Sequence, residues 1–354
     1  MSAYNIGGAA TTFKPNMENQ SRTPSPALFL STVNAYQRTA AIKAAIELDV
    51  FTAIGSGVEE ATSLAQKCQT SERGMRILCD YLAIAGFLIK EAGGYKLTPD
   101  SAMFLVPSSK AYVGSTIEFI LSPSITNAFD NLSTAVRQGG TAMSATGTLE
   151  PEHPVWVKFA KAMAPAMAMP AQLIAQFLKV DSLKRLKVLD ISASHGLFGI
   201  AIAQHNPHAE IFAVDWAPVL AVAEENARAC GVSERYHTIA GSAFEVDYGK
   251  DCDLVLLPNF LHHFDPATCE ILLKKIYDAL ADGGRVVTFE FIPNEDRITP
   301  PEAAAFSLTM LATTPSGDAY TFAEYEQMFG NAGFNHSELH LLPNLPQQVV
   351  ISYK

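Results

Sequence analysis

Two histidines stand side by side in the run Asn259-Phe260-Leu261-His262-His263-Phe264-Asp265, directly after an apolar stretch, Leu254 to Leu257, that reads as a buried strand. An imidazole is well matched to moving a proton near neutral pH, because it ordinarily titrates at about 6.5. Taken alone, a histidine where a strand passes into a helix is more often a cap or a surface residue. A second chemical stretch runs from Lys187 to Asp215. An apolar strand (Val188, Leu189) ends at Asp190 and empties into Ile191-Ser192-Ala193-Ser194-His195-Gly196; a helix follows from Leu197, and a second strand, Ile211 to Val214, is closed by Asp215. Small residues between a strand and a helix present backbone N–H groups at the carboxyl edge of a parallel sheet, where nucleotide-like ligands bind. Asp215 is then placed to accept hydrogen bonds from ribose hydroxyls. The glycine-rich form of such a loop is D-x-G-x-G-x-G, and only Gly196 of it is present, so the loop by itself is equally an ordinary βα turn. The His262 strand ends on the same edge, so a nucleoside and the imidazoles would meet there.

Positioning these groups requires an open, mostly parallel sheet. Strands are expected at 187–191, 210–214, 236–240, 253–258 and 285–291, alternating with helices at 196–204, 218–229 and 266–280. A helix at 321–332, closed by Gly333, leads into strands at 337–342 and 347–352, which form a terminal antiparallel hairpin around Asn344 and Pro346. Upstream, residues 1–24 read as a loose leader with an alternative start at Met17. From Pro26 to Leu48 apolar residues recur at helical steps on an alanine-rich face suited to packing helix on helix, within the chain or across a dimer. Short helices at Ala61–Gln66 and Ser71–Ala85, the second capped by Ser71, precede a strand, a Gly93-Gly94 turn and a strand up to Leu97. Three helices and a hairpin make a winged-helix pattern over 25–105. Between 106 and 180 a helical connector is expected, broken at Pro123, Pro151, Pro154, Pro165 and Pro170; within it Val155, Phe159 and Met163 share one face, either as core or as the lining of a pocket for flat apolar molecules.

The 354 residues, 48% of them hydrophobic, suffice for two folding units with a substantial core. A net charge of -11 and the absence of any basic run argue against a nucleic-acid or anionic-membrane surface, since phosphate binding relies on clustered Lys and Arg. The winged-helix pattern therefore reads as a packing module: its 71–85 helix offsets Arg73 and Arg76 with Glu72 and Asp80. Five scattered cysteines fit a reducing compartment, and no signal pattern or membrane span is seen, so a cytoplasmic protein is expected. Adjacent histidines at a helix start do not converge on one ion, so no metal site is expected.

The order of these segments resembles the plant and bacterial small-molecule O-methyltransferases that use S-adenosylmethionine. The likeness covers residues 25–354 and rests on Val188-Leu189-Asp190 with Gly196, Asp215 followed by Pro218-Val219, Gly241-Ser242-Ala243-Phe244, Leu261-His262-His263-Phe264, Ala281-Asp282-Gly283-Gly284-Arg285-Val286, Phe289-Glu290, Met310-Leu311-Ala312 and Ala332-Gly333-Phe334. It implies a class I, Rossmann-like α/β catalytic domain over 181–354 behind a winged-helix dimerisation domain, hence a homodimer acting on a small hydroxylated, aromatic or polyketide-like acceptor. By the resemblance His262 is the general base and Glu290 orients it. A second flanking glutamate would fall on Ala319, leaving Asp318 as a displaced substitute. Asp190, Ser192, Gly196, Asp215, Trp216, Ser242, Ala243, Phe244 and Asn259 would meet the cofactor, and Phe159, Met163, His263, Phe306 and Met310 the acceptor. Ser192, Ala193 and Ser194 stand where glycines are usual; wherever such a position needs positive φ, a non-glycine residue costs about 1 kcal/mol. Two other readings compete: a protein that keeps this fold with lost or altered chemistry, and a ligand-responsive winged-helix regulator.

Overall fold

A computed structural model describes residues 24–150, 152–180, 184–343 and 345–354. The expected leader, apart from Pro24, lies outside the described residues, as do Pro151 and Asn344. The described chain divides into two compact units: a smaller one through Ser122 together with Lys158–Pro170, and a larger one of Pro123–Val157 and Ala171–Lys354. The expected 106–180 connector is thus shared between them.

In the smaller unit the helices Ala27–Val33, Ala35–Glu47, Val50–Gly55, Ala61–Lys67 and Glu72–Ile84 precede strands β1 (Leu88–Glu91) and β2 (Gly94–Leu97). Ser71 caps its helix as expected, its Oγ accepting from the Gly74 N–H at 3.1 Å. Glu91 pairs with Gly94, so the hairpin turn is Ala92-Gly93, one residue earlier than expected, with φ of 48° and 85°. Positive φ at both central residues gives the strands the twist of a tight hairpin. Phe51, Leu64, Met75, Leu82 and Tyr95 fill the core beneath. Leu28, Phe29, Leu30, Val33 and Tyr36 remain more than half exposed.

The larger unit is built on β3 (Leu186–Ile191), β4 (Ala209–Asp215), β5 (Tyr236–Ala240), β6 (Cys252–Pro258), β7 (Leu280–Glu290), β8 (His336–Leu341) and β9 (Gln348–Tyr353). Their order is β5-β4-β3-β6-β7-β9-β8, with β3 to β7 parallel and β9 antiparallel to both β7 and β8. From β3 the chain builds outward in one direction and then resumes at β6 on the other side, so the β3/β6 junction is the switch point where such sheets bind ligands. Leu189, Ile191, Val255, Leu257 and Val286 are buried, and Leu272, Leu273 and Ile276 of the helix Pro266–Ala279 pack with them. β7 starts five residues before the expected 285: Leu280 pairs with Cys252, and the register then shifts at the turn containing Gly283, φ 75°.

The middle helices differ most from expectation. Pro123 opens a helix and Pro154 caps one, but Pro165 and Pro170 lie inside the single helix Val155–Leu178. A proline there forfeits one hydrogen bond and crowds the preceding turn. Ser115 donates to the Ala162 carbonyl at 2.9 Å, giving this stretch a side-chain partner. Among the described residues no helix is long and apolar enough to cross a membrane.

Candidate functional site

At the end of β3 the chain turns through Ser192 (φ 55°), Ser194 (φ 53°) and Gly196 (φ 74°), so both serines occupy left-handed positions that glycine would hold without strain. The turn is tied to β4 by two bonds, and the Asp215 carboxylate takes a further one from its own neighbour Trp216. Ala193 N–H donates to the Val214 carbonyl at 3.1 Å, Ser194 N–H to Asp215 Oδ2 at 2.9 Å, and Trp216 N–H to Asp215 Oδ1 at 2.7 Å. Burial raises the Asp215 carboxyl to about 6 against the pull of those two N–H groups. Gly196 admits no side chain: a Cβ would lie 2.5 Å from the Tyr236 hydroxyl and 2.9 Å from Ala223 Cβ. Asp190, fully buried, accepts from Gly199 N–H at 3.0 Å through Oδ2, and burial holds its carboxyl well above the usual range. Its Oδ1, the Ser194 hydroxyl and the Tyr236 hydroxyl are buried without protein partners around the same turn.

Across the switch point β6 ends at Pro258 and is followed by Asn259, whose φ is 52° and whose N–H donates to the Phe289 carbonyl at 2.8 Å. The 3₁₀ turn Leu261–His263 follows. Glu290, at the end of β7 and fully buried, organises this turn: Oε1 accepts from Phe260 N–H (2.8 Å) and Leu261 N–H (3.0 Å), and Oε2 lies 2.5 Å from His262 Nδ1. A carboxylate accepts only, so His262 Nδ1 carries the proton and Nε2 presents a lone pair. Phe306 meets the His262 ring edge-on at 4.8 Å and stacks on Phe291 at 4.2 Å.

The remaining expected residues are placed unevenly. The Ser242 hydroxyl accepts from Phe244 N–H at 3.2 Å, the Ala243 carbonyl from Lys275 Nζ at 3.0 Å, and the Phe244 ring packs on Phe264 at 5.1 Å. Trp216 caps the helix Ala217–Ala229, and Met310 is buried in the helix Phe306–Thr313. Phe159 and Met163 belong to the smaller unit, where Phe159 meets Phe119 edge-on at 4.9 Å. Among the described residues no hydrogen bond or ion pair joins Asp318 to His262. The Asp318 side chain is 42% exposed and pairs with Arg297 at 3.5 Å, while Arg297 also holds the Ala319 carbonyl (3.0 Å) and Glu324 (2.5 Å). Arg297, which precedes it in the chain by 21 residues, competes for that carboxylate, a partner with no local sequence signal.

Among known proteins, the family model of the O-methyltransferase domain matches residues 129–335, and that of the O-methyltransferase dimerisation domain residues 30–107. The chain belongs to the O-methyltransferase family. It is an S-adenosylmethionine-dependent O-methyltransferase, the class and the methyl donor that the sequence resemblance implied. A candidate O-methyltransferase of Nostoc punctiforme is 73% identical, its crystal structure covering 94% of this chain and 100% of its own at a TM-score of 0.91. The 3-hydroxy-5-methyl-1-naphthoate 3-O-methyltransferase of Streptomyces sahachiroi is 28% identical over 317 residues, 87% of this chain and 89% of that protein. Human N-acetylserotonin methyltransferase, solved in complex with S-adenosylmethionine, shares the fold at 20% identity and a TM-score of 0.82 over 95% of this chain and 99% of its own.

The β3–β4 edge of this O-methyltransferase fits a nucleoside. Gly196 leaves backbone rather than a side chain at the turn, a half-buried carboxylate closes β4, and polar atoms without protein partners gather beside them. Three participants escaped the sequence reading. Gly199 brings its helix against β3 and β4, where a Cβ would meet Ile211 at 2.7 Å and Asp190 at 2.8 Å. His195 is buried, accepts the Leu197 N–H at 3.2 Å, and is held down to about 4 by burial. Gly317 lies against the backbone of His262 and His263, where a Cβ would be 2.2 Å from the His262 carbonyl oxygen. The signal for Gly199 was its place nine residues after Asp190; Gly317, in Ser316-Gly317-Asp318, reads only as a loop.

Proposed function

We propose that this enzyme methylates a hydroxyl of an aromatic or polyketide-like small molecule, with His262 as general base. The 2.5 Å contact between Glu290 and His262 Nδ1 carries the reading, because it commits Nε2 to accepting a proton. A phenol with a pKa of about 10 is protonated at pH 7, and ionising it there costs about 4 kcal/mol. Taking that proton as the oxygen attacks removes much of this cost. S-adenosylmethionine, when bound, supplies an electrophilic methyl group on a sulfonium. Asp215 and the Ser192–Gly196 turn hold the nucleoside; Glu290 fixes the imidazole and favours the imidazolium once formed; His263, Phe306 and Met310 wall the acceptor. The Streptomyces relative, named for its action on a naphthoate, favours a flat acceptor. Methyl transfer to a panel of phenols and naphthols tests the reading, and a protein that binds the donor yet methylates none of them would point to altered chemistry.

Asp215 makes donor binding pH-dependent. Its carboxyl sits at about 6 in the folded chain, above the ordinary value of about 3.9, so its contribution to stability is present at low pH and is lost as pH rises through 6. Both oxygens accept backbone N–H bonds, and the ionised form is also the one that best accepts from a ribose diol. Donor affinity measured by calorimetry is therefore expected to rise between pH 5 and 7 and then level off. Asp215→Ala should weaken binding at pH 7.5 and flatten this profile; unchanged affinity would remove the ribose assignment.

The smaller unit is proposed to form a homodimer through the helices that leave Leu28, Phe29 and Tyr36 exposed. Light scattering should give twice the chain mass, and Phe29→Glu with Tyr36→Glu should shift it toward the monomer.

A further inference from the structure

His263 follows the proposed base directly, yet proton transfer by His262 makes no use of it. Its ring is buried, lies 4.3 Å from the His262 ring between centroids with the planes tilted by 56°, and meets Trp156 edge-on at 5.2 Å. Nδ1 is sealed from solvent and has no hydrogen-bond partner. A buried N–H without an acceptor is rarer and costlier than a bare acceptor lone pair, so the proton belongs on Nε2. Burial first, and the neighbouring His262 second, hold this imidazole well below its ordinary range and hence neutral near pH 7. His262 has the opposite tautomer, its Nδ1–H turned to Glu290. The adjacent rings therefore carry opposite functions at Nε2, a proton acceptor at 262 and an N–H donor at 263.

We propose that His262 and His263 together read an acceptor whose reacting hydroxyl stands beside a carbonyl or carboxylate oxygen on the neighbouring carbon: an ortho-hydroxy carbonyl compound or a vinylogous acid. The proposal rests on O-methylation with His262 as base and names the substrate class. In such compounds the hydroxyl proton is engaged in an internal hydrogen bond to the carbonyl. The His263 N–H takes over that carbonyl and frees the proton for His262 Nε2. As the new O–CH3 bond forms and the S–CH3 bond breaks, its electron pair stays on sulfur. The proton rests on His262 Nε2. The charge developing on the acceptor spreads to the carbonyl oxygen, where the His263 N–H meets it. In a vinylogous acid, where conjugation acidifies the hydroxyl, this also suits a base supported by one carboxylate, since Ala319 is buried and apolar where the resemblance places a second.

The test compares 2′-hydroxyacetophenone with 3′-hydroxyacetophenone, which carry the same groups at different spacing. The full chain with S-adenosylmethionine should prefer the 2′ isomer by about tenfold or more in kcat/KM. In His263→Phe the preference should fall to about one, and His263→Gln, with an amide N–H in place of Nε2–H, should restore part of it. Equal rates in the unaltered enzyme, or an equal loss for both isomers in His263→Phe, would overturn the assignment. Should neither isomer nor any phenol be methylated, the O-methylation reading fails instead. Titration of both isomers into the S-adenosylhomocysteine complex then decides separately: tighter binding of the 2′ isomer sustains the recognition, and equal binding overturns it. Nitrogen-15 NMR of the imidazoles needs no variant; a proton on Nδ1 of His263 would also overturn it.

Discussion

Replacing His262 with alanine is expected to lower kcat by about 10²- to 10⁴-fold and to leave donor affinity within about twofold. In the proposed reaction the imidazole acts on the acceptor proton, and the expected donor contacts lie on Asp215 and the β3 turn, so calorimetry and turnover should separate. Glu290→Gln offers a sharper version of the same experiment. Oε1 faces two backbone N–H donors, so a glutamine must place its amide oxygen there and turn its NH2 toward His262 Nδ1. That arrangement makes Nδ1 the acceptor and moves the ring proton to Nε2, leaving a base that is geometrically present and already protonated. A loss comparable to that of His262→Ala is expected, since a wrong tautomer alone costs serine proteases about 10⁴-fold. Single-turnover methyl transfer with the preloaded donor checks both variants. Turnover retained in Glu290→Gln would mean that Nε2 is not the proton acceptor.

The sheet was legible because its residues obey a local rule. Val188, Leu189, Val255 and Leu256 lie in short apolar runs bounded by turn residues, and every expected strand of the larger unit appears within a few residues of its place except the start of β7. The His262 edge was legible for the same reason, since alternation of strands and helices implies parallel strands whose carboxyl ends share one edge. What the sequence hid depends on contacts between distant segments. Pro165 and Pro170 look like helix breakers, and only packing makes them compatible with one continuous helix. Ser192 and Ser194 show by their type that glycine is absent, but not that both positions demand positive φ. Asp318 offered a carboxylate at a plausible place in the chain; its side chain is instead partly exposed and paired with Arg297.

Gly317→Ala is the second large effect, and it follows from space rather than from backbone freedom. A Cβ at 317 would lie 2.2 Å from the His262 carbonyl oxygen, 2.7 Å from Thr314 Oγ1 and 2.9 Å from the His263 carbonyl carbon. Two of these neighbours are backbone and cannot rotate away. The 312–320 segment cannot retreat easily either. Thr141 Oγ1 donates to the Ala312 carbonyl at 2.7 Å, Arg297 to the Ala319 carbonyl at 3.0 Å, and the Tyr320 hydroxyl to the Phe264 carbonyl at 2.5 Å. The opposing turn is held by Glu290 and by the Cys269 thiol, which donates to the Leu261 carbonyl at 3.3 Å. One of two pinned segments must therefore move. Overpacking of this kind costs about 1–3 kcal/mol, and a displacement of about 1 Å at the base lowers turnover by about 10²-fold. Gly330→Ala provides the contrast: it lies in the helix Phe322–Ala332 with no neighbouring atom within 4 Å of its would-be Cβ, and should gain about 0.5–1 kcal/mol with turnover unchanged. The melting temperature should fall in Gly317→Ala and rise in Gly330→Ala, while kcat should fall only in Gly317→Ala. If Gly317→Ala keeps its melting temperature and its kcat, the 312–320 segment is free to yield, and the rigidity ascribed to the His262 turn lies elsewhere.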